Sequence, residues 1–168
     1  MADPITNPAT PEAIFGKDAV TAAMADHVAI VGLADFITDA KWDRQELTLT
    51  VAPETIVAAC EAAKAAGYNF MEDVTAVDWY PTEPRFQITY SLLSHTFKQR
   101  LRVIARVAEG QTIASITGVW PAANFYEREV FDLFGVTFTG HPRLTRIMMP
   151  DNWNGHPLRK DYPVEGYR

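Results

Sequence analysis

The chain has 168 residues, enough for one domain of ordinary size with an additional segment and too few for two independent domains. Hydrophobic residues make up 48% and charged residues 21%, which is typical of globular proteins and excludes a disordered or fibrous chain. The formal net charge is −6, so the chain lacks the positive field that attracts phosphate backbones, and we expect no nucleic acid as a partner.

Cysteine content and hydropathy exclude further classes of protein. Cys60 is the only cysteine, which excludes an intramolecular disulfide and an iron–sulfur cluster held by this chain alone. The longest uninterrupted apolar stretch, at residues 28–34, is far shorter than the roughly 20 residues that span a bilayer. These features predict a soluble protein of a reducing compartment.

The N-terminal part of the chain predicts a leader, a helix and a hairpin. Residues 1–11 contain three prolines among small polar residues, so we expect them to be disordered. A helix is predicted from about Glu12 to Ala25. Two strands are predicted at Asp35–Lys41 and Glu46–Val51, with a polar turn at residues 42–45 between them.

The middle of the chain predicts a second helix and three more strands. Pro53 and Gly67 suit the first turn and the end of a helix that runs to about Ala66. The apolar positions that form its buried stripe are Ile56, Val57, Cys60, Ala63 and Ala66. The strands are predicted at Phe70–Trp79, Phe86–Leu93 and Arg100–Val107. The order α-β-β-α-β-β-β predicts an α+β fold over residues 12–119, with helices packed on a largely antiparallel sheet.

Residues 120–168 hold nine of the nineteen aromatic residues, so they are expected to have a separate role. A helix is predicted at Ala122–Phe134, bracketed by Pro121 and Gly135. The residues of its predicted core-facing stripe are Ala122, Ala123, Tyr126, Val130, Leu133 and Phe134. Phe125 and Phe131 fall outside this stripe, which indicates that a partner or the chain's own tail covers them.

Residues 136–168 predict an extended C-terminal arm. Pro142, Pro150, Pro157 and Pro163 recur every six to eight residues and preclude a long helix. The arm is nevertheless too apolar for a solvated linker, so we expect it to bind its own domain or a neighbouring chain. Its large apolar residues are Leu144, Ile147, Met148, Met149, Trp153, Leu158 and Tyr162.

The charged residues of the last predicted helix have two interpretations. Arg128 and Asp132 are four residues apart and favour a surface ion pair along the helix. The alternative is that Glu127, Arg128 and Asp132 hold backbone groups of the arm.

Motifs for independent catalysis are weak in this sequence. His141 and His156 match no compact zinc pattern, so hydrogen-bonded structural histidines are expected. Cys60 is expected to be a buried, inert thiol. No nucleotide-binding or hydrolase motif occurs. A stand-alone enzyme would have to use Glu127, Arg128 and Asp132 with His141 in a cleft.

The run YEREVFDLFGVTFTGHPRLTRIMMPDNWNGHPLRKDYP closely resembles the C-terminal region of the 30 kDa subunit family, the C component of proton-pumping NADH:quinone oxidoreductase, respiratory complex I. The resemblance covers residues 120–163 and implies a subunit with no catalytic, cofactor-binding or metal-ligating residues. FMN, iron–sulfur clusters and quinone would belong to sister subunits.

The resemblance also implies where the chain works. It would be a peripheral subunit on the cytoplasmic face of the bacterial inner membrane, and its membrane contact would be indirect. Its arm would dock on the large quinone-site subunit, the D component of the complex, with the B and I components as further neighbours. The residues that the motifs mark for docking are Glu127, Arg128, Asp132, Gly135, His141, Pro142, Arg146, Pro150, Trp153, Gly155, Pro157, Arg159, Lys160, Asp161 and Tyr162, to which the surplus helix face adds Phe125 and Phe131. Equivalent subunits occur in membrane-bound hydrogenases and in ferredoxin- or F420-linked complexes, which remain alternatives.

Overall fold

A computed structural model describes residues 13–166, so the predicted leader at residues 1–11 lies outside the described residues. The elements in chain order are β1 (Ile14–Phe15), α1 (Lys17–Ala23), α2 (Val28–Leu33), β2 (Ile37–Asp43), β3 (Glu46–Val51), a 3-10 turn (Pro53–Thr55), α3 (Ile56–Ala65), β4 (Phe70–Asp78), β5 (Phe86–Ser94), β6 (Gln99–Val107), β7 (Ile113–Ala114), α4 (Ala123–Phe134) and β8 (Phe138–Thr139). This arrangement confirms the predicted α+β class.

One six-stranded sheet, in the order β1-β2-β3-β6-β5-β4, organises the domain. Every neighbouring pair is antiparallel except β3 and β6, which run parallel, so the sheet is largely antiparallel as predicted. Alternate residues such as Leu49, Ile88 and Val103 are completely buried on one face, under the helices. The opposite face, which we call the open face, carries polar residues such as Arg102. Strands β7 and β8 form a small parallel pair near α4.

The N-terminal helix is shorter than predicted. Ile14 and Phe15 pair with Trp42 and Lys41 of β2, so the segment that was expected to begin the helix is instead an edge strand. Helix α2 was not predicted. His27 is its N-cap, and the Nδ1 of His27 accepts a hydrogen bond from the Ala29 N–H at 3.3 Å. Six residues are too few for the apolar repeat to stand out in the sequence.

The predicted hairpin and the second helix are confirmed with small shifts. Strand β2 runs to Asp43, so Trp42 belongs to the strand and not, as predicted, to the turn. Its side chain is only 3% exposed. Helix α3 follows the 3-10 turn that Pro53 begins, and it ends before Gly67, whose φ of 102° is left-handed as predicted. Cys60 is completely buried on this helix, as expected. Within residues 13–166, no helix has both the length and the hydrophobicity needed to cross a lipid bilayer.

Candidate interface formed by helix α4 and the C-terminal arm

Helix α4 buries a stripe that contains a carboxylate. The residues on its core-facing side that are buried are Ala123, Glu127, Val130 and Phe134. The prediction placed Ala122 in this stripe, but Ala122 is exposed. It placed Glu127 outside, yet Glu127 is 0% exposed. Charged residues are uncommon at core positions, so apolar periodicity alone predicts that Glu127 lies on the solvent-facing side of α4.

Glu127 holds the segment that precedes the helix and not the arm, which corrects the prediction for this residue. Its carboxylate accepts hydrogen bonds from the Ser115 hydroxyl at 2.6 Å and from the Ile116 N–H at 2.8 Å. Burial raises the pKa of Glu127, and these two hydrogen bonds oppose that rise. His141 Nε2 lies 4.0 Å from the same carboxylate.

Asp132 anchors the arm. Its carboxylate is 0% exposed and accepts hydrogen bonds from three consecutive backbone N–H groups, those of Ile147, Met148 and Met149, at 2.9, 2.7 and 2.8 Å. Arg146 adds an ion pair at 2.6 Å. Burial would raise the pKa of Asp132, but the backbone hydrogen bonds and Arg146 outweigh it, so the pKa lies below its usual value.

Arg128 binds the arm as well. It donates to the carbonyl oxygens of Thr145 and Arg146 at 3.0 and 2.9 Å. No ion pair joins it to Asp132 in the described part of the chain, so the surface-pair interpretation is wrong. The alternative, in which these two residues hold the backbone of the arm, is confirmed.

Two histidines tie further parts of the arm to α4. His156 Nδ1 donates to the backbone oxygen of Asp132 at 2.8 Å, and Leu158 N–H donates to the Leu133 oxygen at 3.0 Å. His141 Nε2 donates to the Asn124 oxygen at 3.1 Å, while its Nδ1 accepts from the Arg143 N–H at 3.0 Å. Both are therefore hydrogen-bonded structural histidines, as predicted. No group of three possible metal ligands forms within residues 13–166.

Gly135 makes the contact between helix and arm possible. It ends α4 with a φ of 80°, and a Cβ added there would lie 2.7 Å from Cδ2 of His156. Only glycine combines this conformation with so close an approach.

A second anchor, missed by the sequence analysis, is centred on Arg85. This side chain is 1% exposed and forms ion pairs with Asp78 at 2.8 Å, Asp161 at 2.6 Å and Glu109 at 2.8 Å. Glu109 also pairs with Arg159 of the arm. Arg85 follows a proline turn, and two of its three partners, Glu109 and Asp161, are 24 and 76 residues away, so no local pattern identifies it.

The carboxylates around Arg85 are held in the charged form. Although burial alone would raise the pKa of Asp78, the hydrogen bonds from Arg85 and from the backbone N–H groups of Lys160 and Tyr80 hold it well below its usual value. The guanidinium of Arg85 is the main cause of the lowered pKa of Asp161. This network, with Arg85 and Asp78 buried and Glu109 and Asp161 exposed, fixes residues 159–161 of the arm against the sheet domain.

The arm therefore satisfies its backbone on its own domain but leaves large apolar side chains in solvent. These are Ile147 (39% exposed), Met148 (61%), Trp153 (41%) and Leu158 (52%), and together with Phe125 of α4 (62%) we call them the arm surface. Phe131 is half-buried beside the His156 ring, so the chain's own tail covers one of the two surplus phenylalanines and leaves the other exposed.

The remaining predicted docking residues lie along the same arm. Pro142 and Pro150 are exposed, whereas Pro157 and Tyr162 are half-buried, and the Tyr162 hydroxyl donates to the Asn154 oxygen at 3.3 Å. Gly155 provides a carbonyl oxygen to Arg146 at 3.1 Å.

The residues of the enzyme hypothesis are not gathered in a cleft. Glu127 and Asp132 are completely buried and accept from separate sets of donors. Arg128 binds carbonyl oxygens. The geometry instead gives a preformed apolar surface on a rigidly attached arm, which is an arrangement suited to protein binding.

The amino-acid sequence is similar to that of known proteins. The family model described as "Respiratory-chain NADH dehydrogenase, 30 Kd subunit" matches residues 49–168. The C component of NADH-quinone oxidoreductase from Geotalea uraniireducens (strain Rf4) is 50% identical over 135 residues, which cover 79% of this chain and 82% of the relative. The protein of the same name from Roseiflexus sp. (strain RS-1) is 44% identical over 147 residues, which cover 85% and 79%.

Two solved structures resemble the fold. A trypsin-resistant fragment (1-134) of Nqo5 superposes with a TM-score of 0.55 at 33% identity, covering 59% of this chain and 83% of the fragment. A chain of the membrane-bound sulfane sulfur reductase, an archaeal respiratory membrane complex, superposes with a TM-score of 0.73 at 25% identity, covering 83% and 86%.

Proposed function

Because the chain belongs to the family of the 30 kDa subunit of respiratory-chain NADH dehydrogenase, we propose that it is a structural subunit of proton-pumping NADH:quinone oxidoreductase. In this role its C-terminal arm docks on the large quinone-site subunit. The chain then lies on the cytoplasmic face of the bacterial inner membrane, in the peripheral, quinone-reducing part of the complex, with the B and I components close by.

The proposal rests on one observation: the polar groups of the arm are bound by its own domain, whereas its large apolar side chains are exposed. Asp132, Arg128 and Arg85 satisfy its polar groups in cis, whereas the side chains of the arm surface face solvent. Complete burial of a fully exposed side chain of this size is worth about 1.5–3 kcal/mol. The part of it that corresponds to the area still exposed on the arm surface is gained only when a partner covers that area.

In this proposal, sister subunits carry out the electron transfer of the complex. Electrons from NADH pass through FMN and iron–sulfur clusters of other chains to quinone. The present chain contributes by holding the quinone-site subunit in place, so that loss of docking abolishes quinone reduction without touching a redox group.

Substitution at the arm surface tests the proposal. Met148→Asp places a charge at a position whose side chain is 61% exposed, so the isolated protein should keep its fold. We expect loss of the quinone-site subunit from a pull-down in mild detergent and a smaller complex on a native gel. Val31→Asp is the matched control, because Val31 is 64% exposed on α2 and distant in sequence from the arm. Equal recovery of the quinone-site subunit with both variants would refute docking through the arm.

A second candidate is the equivalent subunit of another membrane-bound oxidoreductase. It is favoured by the similarity to a chain of an archaeal sulfane sulfur reductase complex over 83% of this chain. The same pull-down separates the two, since the large subunit and its electron-donor module can be identified by mass spectrometry. An NADH-oxidising module supports complex I, and a ferredoxin-linked or hydrogenase module supports the alternative.

A further inference from the structure

One end of the open face carries exposed aromatic side chains together with two cations. Val77, Gln87 and Arg106 are neighbours across β4, β5 and β6, as the strand register shows. Trp79 follows β4, and its indole N–H donates to the Gln87 side-chain oxygen at 3.2 Å. We call the following residues the indole patch: Val77, Trp79, Tyr80, Arg106 and Lys160.

The cations of the patch lie over the indole, and neither pairs with a carboxylate of residues 13–166. The Arg106 guanidinium carbon lies 5.3 Å from the centroid of the Trp79 rings, and the Lys160 ammonium lies 6.0 Å from it. Neither forms an ion pair with another described residue. By contrast, Arg100 and Arg102 of the same strand pair with Glu72 at 3.2 Å and Glu46 at 2.7 Å. Arg106 and Lys160 therefore remain available to carboxylates of another chain, although the net charge of this chain is −6.

The aromatic part of the patch is exposed to an extent that the monomer does not explain. Trp79 is 42% exposed, Tyr80 is 50% exposed and Val77 is 39% exposed. Trp, Tyr and Arg are the residues enriched at the energetic centres of protein interfaces. Stacking on the indole also orders the guanidinium, so that its N–H edge can bind a carboxylate at a small entropic cost.

The patch is physically continuous with the arm. Lys160 belongs to both, and its backbone N–H donates to Asp78 Oδ2 at 2.8 Å. The Arg85 guanidinium, which binds Asp161 of the arm, also stacks on Tyr80 at 4.9 Å. Leu158 of the arm surface is two residues from Lys160. The Arg85 network therefore sets the position of the patch relative to the arm surface.

We propose that the indole patch is a second docking surface, which binds an acidic segment of the same polypeptide that receives the arm. Carboxylates of that segment pair with Arg106 and Lys160, and its apolar side chains cover Trp79 and Tyr80. This inference rests on the proposed function, which identifies the receiving polypeptide as the quinone-site subunit. An anionic membrane surface is less well matched, because such recognition generally uses clusters of about four to eight basic residues.

Charge reversal in the patch tests this inference. The variant carries Arg106→Glu and Lys160→Glu, both at partly or fully exposed positions. Lys98→Glu, directly before the other end of β6, is the control for a single charge reversal outside the patch. Affinity for the purified quinone-site subunit is measured at low and at moderate salt. We expect the double variant to bind on the order of tenfold more weakly at low salt and to lose most of the salt dependence, with the control unchanged.

The outcomes separate the two proposals. If Met148→Asp abolishes binding while the double variant binds like the parent, the indole patch is not an interface and the proposed function stands. If neither variant changes binding, both proposals fail. If the double variant keeps its affinity for the quinone-site subunit but no longer binds vesicles that contain phosphatidylglycerol, the patch recognises lipid and the inference is overturned.

Crosslinking gives an independent measurement that does not depend on charge reversal. A photoreactive benzoylphenylalanine at position 79 of the assembled complex should crosslink to the quinone-site subunit next to aspartate or glutamate residues. Crosslinks found only to lipid, or to a different polypeptide, would contradict the proposed occupant.

Discussion

Arg85 binds Asp161 through both terminal nitrogens, at 3.0 and 2.6 Å, although 76 positions separate the two residues. The same guanidinium binds Asp78 at the end of β4 and Glu109 in the loop after β6. Three segments that are distant in sequence therefore converge on one buried cation, and the arm is attached where they meet.

Removal of this cation should destabilise the whole domain. In Arg85→Ala, Asp78 stays buried without its charge partner, and we expect the free energy of unfolding to fall by about 3–5 kcal/mol. Arg100→Ala is the control, because its pair with Glu72 is mostly exposed and is worth at most about 1 kcal/mol. Urea unfolding of both variants measures the difference. Similar midpoints for the two would show that the Arg85 network adds little stability.

Asp132 should make attachment of the arm sensitive to acid. Its pKa is lowered in the folded state, so it stabilises the arm above the unfolded pKa of about 3.9, and this contribution is lost as the pH falls further. We expect protection of the Ile147–Met149 N–H groups from hydrogen exchange to persist from pH 7 to about 4 and to decline below it.

Asp132→Asn provides the test of that mechanism. The neutral amide accepts the three N–H donors less well, so protection of these groups should be low at every pH, while Ile104 in the central strand β6 stays protected. Unchanged protection at residues 147–149 in this variant would exclude the carboxylate as the anchor.

Glu127 should have the opposite effect of pH on stability. Its pKa is raised by burial, so the folded state binds a proton that the unfolded state has released, and stability falls as the pH rises from about 4.5 to the folded pKa. Glu127→Gln keeps partners for Ser115 and Ile116 and should remove this decline. The free energy of unfolding between about pH 4.5 and 8 measures it, with Glu129→Gln as the exposed control on the same helix. Parallel pH profiles for the parent and Glu127→Gln would contradict the assignment.

Gly135→Ala should loosen the arm at His156. The variant has the strain of a left-handed alanine, about 1–2 kcal/mol, and its Cβ would also displace the imidazole. Gly140→Ala separates the two effects, because Gly140 has a φ of 77° and no atom within 4 Å of an added Cβ. We expect a larger loss in thermal stability for position 135, together with increased exchange at the Leu158 N–H. Equal losses would mean that the contact with His156 is unimportant.

The sequence predicted well where the determinants are local. Alternating apolar residues located β4, β5 and β6 to within one or two residues, and Pro53, Gly67 and Gly135 marked helix ends. The N-terminal helix was predicted too long because the pairing of Ile14 with Trp42 depends on a strand almost thirty residues away. Such long-range pairing leaves no mark on local periodicity.

The anchoring residues were predicted only in part. One of two interpretations of the helix charges had Glu127, Arg128 and Asp132 holding the backbone of the arm, which is right for Arg128 and Asp132 and wrong for Glu127. Helical periodicity placed Glu127 in solvent, whereas it is buried. Arg85, Asp78 and Glu109 lie outside the run that carries the resemblance, and each is unremarkable in its own segment. Their pairing joins the end of β4 to the loop after β6 and, through Asp161, to the arm, and these contacts depend on the tertiary structure.

The solvent-facing side chains of the arm have a consequence for the chain before it is assembled. Because the arm is held in place by its own domain, copies produced in excess expose the apolar side chains of Met148, Trp153 and Leu158 to solvent. Such orphan copies would self-associate or be degraded. Balanced synthesis with the receiving polypeptide is therefore expected, and the cellular level of this protein should fall when that polypeptide is deleted.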